Sequence, residues 1–191
     1  MATVSSGSRR RIPKHRGRPR VSVLRLGHRA GRDPRLTTHA ALAARALGAD
    51  RMYLHPPDPD LAERLRSVSR RWGGDFEVLG IEDWRGLIRT FDGTVVHLTM
   101  YGMPLDRVAA RIRSSARVLL VIGGAKVPFE IYERADYNVA VGAQPHSEVA
   151  AVALALDRLV GPVAPRRFSG GSVRIRPSAR GKRVEERGSR V

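Results

Sequence analysis

Short apolar runs alternate with stretches of helical spacing along most of the chain. Val21–Leu26 (VSVLRL) alternates apolar and polar positions and predicts a first strand. A charged loop, Gly27–Leu36, follows, and then an Ala/Leu-rich helix from about His39 to Leu47, capped by Thr37 or Thr38 and stopped by Gly48. Arg51–Leu54 predicts a second strand, ended by prolines at 56, 57 and 59. In Asp60–Arg71, Leu61, Leu65 and Val68 recur at spacings of four and three, which marks an amphipathic helix. Phe76–Gly80 predicts a strand and Trp84–Thr90 a short helix. Thr94–Thr99 and Arg117–Ile122 predict two strongly apolar strands, with helices expected over Leu105–Ser114 and Phe129–Arg134.

The stretch Asp136–Leu159 concentrates these signals. Tyr137–Val141 reads as a buried strand that Gly142 ends, and Pro145 prevents its continuation. From Glu148 a breaker-free Ala/Leu-rich helix runs to Gly161, with Ser147 as its expected N-cap. Strands alternating with helices predict an α/β fold, a largely parallel sheet covered on both faces, over residues 21–161. Residues 162–191 read as a basic C-terminal extension, with one short strand expected in Phe168–Pro177. Residues 1–20, rich in Ser, Gly, Pro and Arg, read as a disordered basic N-terminal extension.

Charge sharpens this division. The formal net charge is +17, of which residues 1–20 carry +7, residues 162–191 another +7, and the 141 residues between them only +3. A nearly balanced body with two basic ends suits a polyanion, most often nucleic acid, although a solvated tail with no specific partner explains residues 1–20 equally well. The chain has no cysteine, which excludes disulfides and thiolate metal sites. It has no apolar run long enough to span a membrane and no signal-peptide core, so a soluble cytoplasmic protein is expected.

Three of the strongest strands end in small or polar loops: Leu98–Gly102, Gly123–Pro128 and Val141–Glu148. Parallel strands place such loops along one carboxyl edge, where ligands collect, and glycines let backbone approach a ligand closely. None of the loops carries a dinucleotide or phosphate-loop fingerprint. Their backbone polar groups suit an adenine edge, and Leu98, Met100 and Val127 suit its faces. No metal site is expected, because His146 and Glu148 have no further ligands at metal spacing. His97 lies within a strand and reads as a core residue, and Glu130, Glu133 and Asp136 as surface charges.

The stretches VLRLGHR (23–29), TTHAALAARALGA (37–49), RWGG (71–74), VHLTMYG (96–102), KVP (126–128) and ADYNVAVGAQPHSEVAA (135–151) resemble the archaeal tRNA cytidine-56 2′-O-methyltransferase family of the SPOUT superfamily. The resemblance is colinear over about 21–161 and extends more weakly to Phe168, Gly170, Pro177 and Ala179–Lys182; residues 1–20 resemble nothing in it. It implies a parallel α/β domain with a C-terminal trefoil knot, a homodimer, and S-adenosylmethionine bound in the knot. By motif, the cofactor contacts fall on Leu98, on Gly123, Gly124, Ala125, Lys126 and Val127, and on Val141, Gly142, Ala143, Gln144, Pro145, His146, Ser147 and Glu148. The family has Glu where this chain has Ala125, so that position offers backbone contacts alone.

The implied reaction is methyl transfer to the 2′-hydroxyl of one ribose in the T-arm of tRNA. A cationic side chain assists by stabilising the developing alkoxide. Related ribose methyltransferases resemble Arg32-Asp33-Pro34 followed by an Asn and a helix carrying the key Arg, but here Leu36 and Leu42 stand at the Asn and Arg positions. Arg35, in the loop facing the ligand edge, is then the first candidate catalytic residue and Arg45 the second; phosphate contacts or surface charge are the competing roles for both. The basic ends are expected to add tRNA affinity. A ribose methyltransferase acting on another RNA position, and a non-catalytic RNA-binding module of the same fold, are the alternative readings.

Overall fold

The computed structural model describes residues 17–32, 34–124, 127–162 and 168–186. Most of the N-terminal extension therefore lies outside the described residues, as do the candidate cofactor residues Ala125 and Lys126 and part of the C-terminal segment. Six strands, β1 (Arg20–Leu26), β2 (Arg51–His55), β3 (Glu77–Gly80), β4 (Thr94–Pro104), β5 (Arg117–Gly123) and β6 (Tyr137–Ala140), form one sheet in the order β3-β2-β1-β5-β4-β6. Every pairing in it is parallel. The helices between them are α1 (Pro34–Ala46), α2 (Pro59–Trp72), α3 (Trp84–Thr90), α4 (Leu105–Arg113), α5 (Phe129–Arg134) and, after β6, α6 (Glu148–Val160).

The two faces of the sheet bury different cores. Val21, Val23, Val96, Leu120 and Ile122 pack with α1, α2, α4 and α6, while Leu24, Leu26, Val95, Leu119 and Val121 pack with Trp84, Ile88, Phe91 and Ile131 of the smaller helical layer. Both faces being covered, the central strands have to be apolar on both sides, which is why RVLLVI reads as a continuous run. At about 25 cal/mol per Å² of apolar surface removed from water, burial of these aliphatic side chains is the main stabilising term.

Several boundaries differ from the sequence expectation for identifiable reasons. Helix α1 starts at Pro34, whose fixed φ suits a first helical turn, so Thr37 lies inside the helix and does not cap it. In α2 the cap is Asp58, whose carboxylate accepts a hydrogen bond from the Leu61 amide at 2.9 Å, and Pro59 opens the helix. Strand β4 runs on to Pro104: it pairs with β6 up to Leu98, bulges, and pairs again at Met103 and Pro104. Asp136 is more than surface charge, because its carboxylate accepts the Val95 amide hydrogen bond at 2.8 Å.

The C-terminal segment holds two strands where one was expected, β7 (Val173–Arg176) and β8 (Arg183–Glu186), paired antiparallel. Polar alternation in β8 hid it from a reading based on apolar runs. The approach to this hairpin docks on the end of α2, where the Gly74 amide donates to Ser169 O at 2.8 Å. Gly73, at φ +80°, allows this approach: a Cβ there would lie 2.4 Å from Ser169 O.

Candidate active site

The sheet order reverses between β1 and β5, so their carboxyl-end loops leave in opposite directions and open a crevice. Leu26, the last residue of β1, stands opposite Gly123 of β5. The crevice therefore brings together exposed Arg29 and Arg32 of the β1–α1 loop, Arg35 in the first turn of α1, and the segment that begins at Gly123-Gly124. A Cβ on Gly123 would lie 2.6 Å from Val127 Cγ2, so any side chain there would force the Val127 side chain to move. At Gly124 the nearest atom to such a Cβ is Glu148 Oε1 at 3.9 Å, which leaves the backbone open to a ligand.

The N-terminus of α6 meets the same crevice. Ser147 caps it as expected, its hydroxyl accepting from the Val149 amide at 3.1 Å, and Glu148 lies in the first turn. Arg25 lies on the same face of β1 as Val21 and Val23, and its side chain is 1% exposed. Its Nε stands 3.1 Å from Glu148 Oε2, and its Nη1 donates to the Leu26 carbonyl. An ion pair thus ties the end of β1 to the start of α6 beneath the glycine loop. In the sequence Arg25 is one polar position of the VSVLRL strand; its inward position follows only from strand alternation with known burial.

A cavity of about 210 Å³ opens farther along the edge. The β4 bulge supplies Met100, Gly102 and Pro104, the β6 end supplies Ala140, Val141, Gly142 and Ala143, and α6 adds Leu154, Asp157 and Arg158. Gly102 is needed here, because a Cβ would fall 2.4 Å from both Asn138 C and Val139 N. Beneath the bulge His97 is 1% exposed. Its Nδ1 is 2.9 Å from Asn138 Oδ1, its ring meets Tyr132 edge-on at 4.5 Å, and burial holds its pKa below the usual histidine range.

Of the residues with an expected cofactor role, Val141, Gly142 and Ala143 line the cavity. Gly123, Gly124, Ser147 and Glu148 border the β1/β5 crevice, and Gln144, Pro145 and His146 form the exposed loop between the two. Leu98 is 9% exposed and belongs to the core beneath the bulge, and Val127 is half-buried against the opposite core. Arg35 and Arg45 part company. Arg35 is exposed in the first turn of α1, at the carboxyl edge. Arg45 is in the last turn of the same helix, at the opposite edge of the sheet; it donates to the Gly73 carbonyl and lies 4.7 Å above the Phe168 ring. The structure places Arg45 away from the crevice that Arg35 borders, where it joins the C-terminal segment to the end of α2.

Among the described residues no group of His, Cys, Asp and Glu is arranged to hold a metal ion, and no helix is long and apolar enough to cross a membrane. Among solved structures, AviRb of Streptomyces viridochromogenes, a SpoU methyltransferase in complex with AdoMet, is similar in fold at a TM-score of 0.55 and 19% identity over 78% of this chain and 59% of that one. An RNA 2′-O ribose methyltransferase matches at a TM-score of 0.55 and 15% identity, over 80% and 60%. The chain thus spans about three fifths of these solved chains. Full-length likeness comes from curated sequences. The tRNA (cytidine(56)-2′-O)-methyltransferase of Archaeoglobus fulgidus is 50% identical over 164 residues, 86% of this chain and 97% of that protein. The enzyme of the same name from Methanothrix thermoacetophila is 50% identical over 172 residues, 88% and 99%. With residues 72–185 also matching the family model described as tRNA ribose 2′-O-methyltransferase, aTrm56, the chain belongs to that family.

Proposed function

We propose that this protein transfers the methyl group of S-adenosylmethionine to the ribose 2′-oxygen of cytidine 56 in tRNA. The observation that carries the reading is the crevice between β1 and β5, where an arginine loop and a glycine loop meet. The residues present fit the cofactor. Among the described residues only Glu148 Oε1 comes within 4 Å of a Cβ at Gly124, and the cavity at Ala140–Ala143 combines apolar side chains with backbone polar groups and the charged Asp106, Asp157 and Arg158. Gly123–Val127 and Val141–Glu148 are the segments that hold it. When bound, S-adenosylmethionine supplies an electrophilic methyl group.

The protein's own task is to orient a ribose and ease loss of its hydroxyl proton. A 2′-hydroxyl is a weak nucleophile, and a guanidinium placed beside it stabilises negative charge as the proton leaves. Arg35 supplies that charge, and Arg29 and Arg32 extend the cationic surface toward neighbouring phosphates. The basic hairpin, with exposed Arg180, Lys182 and Arg183, adds phosphate contacts. Residues 1–20 and 162–191 act as basic extensions of a catalytic domain over 21–161, and a tRNA substrate suits an enzyme of the cytoplasm.

The same reading includes a homodimer and a trefoil knot. Leu154 lines the cavity and is exposed, as are Tyr101 and Met103 in the segment forming its wall, which supports a second copy covering them.

The test is transfer of radiolabelled methyl to an unmodified tRNA transcript, beside one carrying deoxycytidine at position 56. Label in the ribose form alone is expected. Equal label in both discards the position, and no label with no cofactor binding favours an RNA-binding module. Arg35→Ala at saturating tRNA is expected to lose most of the transfer rate; full activity removes Arg35 from the mechanism.

A further inference from the structure

The segment that carries Arg29, Arg32 and Arg35, the β1–α1 loop and the start of α1, begins and ends on a buried hydrogen-bonded network. His28 is 4% exposed and Thr37 fully buried. The Nδ1 of His28 lies 2.9 Å from Thr37 Oγ1, and its Nε2 lies 2.9 Å from Asp58 Oδ2. The backbone of His28 is fixed as well, its amide donating to the His55 carbonyl at 3.1 Å. Asp58 in turn caps α2 through Leu61. One imidazole therefore joins the end of β1, the first turn of α1 and the start of α2.

The hydrogen-bond roles follow from the partners. The Leu61 amide and His28 hold the Asp58 carboxyl below its ordinary range, so it is an acceptor. Nε2–H of His28 then donates to Asp58, and Nδ1 shares a hydrogen bond with the Thr37 hydroxyl. A buried polar trio of this kind is not required by the aliphatic core around it. It encloses the arginine loop: His28 precedes the loop, and Thr37 stands two residues after Arg35.

We propose that His28 is a positioning residue for methyl transfer, holding Arg35 at the carboxyl edge through its hydrogen bonds to Thr37 and Asp58. The inference rests on the role given above to Arg35. Displacing a positioned charge by about 1 Å costs on the order of 100-fold in rate without any loss of the charge itself.

Thr37→Val is the mildest probe, since it removes the hydroxyl and keeps the shape; His28→Gln keeps a donor toward Asp58 and drops the Thr37 contact. Each is made alone and combined with Arg35→Ala, and kcat, the KM for S-adenosylmethionine and thermal melting are measured on the full chain. Thr37→Val and His28→Gln are expected to lower kcat by about 10- to 100-fold with KM for the cofactor unchanged within about twofold. In the Arg35→Ala background neither is expected to lower kcat further. Wild-type kcat in Thr37→Val overturns the proposal, as do losses that multiply fully with that of Arg35→Ala. If Arg35→Ala alone retains wild-type kcat, the role of Arg35 fails first and the proposal falls with it. His28→Gln that fails to fold leaves Thr37→Val to decide.

Discussion

Glu148→Gln should destabilise this protein more than Arg25→Met, although both cut the same ion pair. The pair is asymmetric: the Arg25 side chain is 1% exposed and that of Glu148 is 17% exposed. Removing one partner of a buried pair costs about 3–5 kcal/mol, because the other charge is left without compensation. Glu148→Gln leaves the guanidinium in the core, so it belongs near that range, about 3 kcal/mol given the partial exposure of its partner. Arg25→Met leaves a carboxylate in the first turn of α6, where the helix dipole favours it by about 0.3–1 kcal/mol and some water reaches it. Its expected cost is about 1–2 kcal/mol. The double variant places two neutral groups together and should be more stable than Glu148→Gln alone. Urea unfolding followed by circular dichroism, at fixed protein concentration, reads these differences. For a chain of this size about 3 kcal/mol also lowers Tm by roughly 6–12 °C. Glu148→Gln within about 1 kcal/mol of the parent, or a double variant showing the full sum of the single losses, would refute the argument.

Gly102→Ala should separate β4 from β6, since its Cβ would lie 2.4 Å from main-chain atoms of Asn138 and Val139 that have no rotamer to change. An affinity for S-adenosylmethionine lower by at least about tenfold is expected by calorimetry, and parental affinity would show that the bulge does not shape the site. His97 makes stability depend on pH with a definite sign. Its folded-state pKa is lowered by burial, so below about pH 6.5 the unfolded chain takes up a proton that the folded chain does not, and stability falls on acidification until the folded pKa is reached. His97→Gln should lessen the decline measured between pH 7 and 5, by at most about 1.4 kcal/mol per pH unit; an unchanged slope would mean that folding does not lower the His97 pKa.

Much of the fold was legible because it is written in local terms. Period-two and continuous apolar runs marked all six strands of the main sheet, and Ser147 and Gly161 bounded α6 correctly. Strand alternation with helices was enough for a parallel sheet, and hence for a carboxyl edge bearing the Gly123 and Gly142 loops. The charge distribution, with basic ends and a near-neutral body, pointed to a polyanion without any coordinates.

What only the tertiary structure decided concerns residues whose meaning depends on distant partners. Arg35 and Arg45 are both candidate cations in the sequence, the first in a loop and the second in a helix, yet one helix carries both, to opposite edges of the sheet, and Arg45 meets Gly73 and Phe168 there. Arg25 looks like any strand arginine until Glu148, far along the chain, is brought to 3.1 Å from it. Thr37 had the chemistry of a helix cap, but Pro34 started the helix earlier and left its hydroxyl for His28. Polar side chains are read from sequence by type alone, whereas burial of a charge or a hydrogen bond is a property of a pair, and the second member is supplied by the fold.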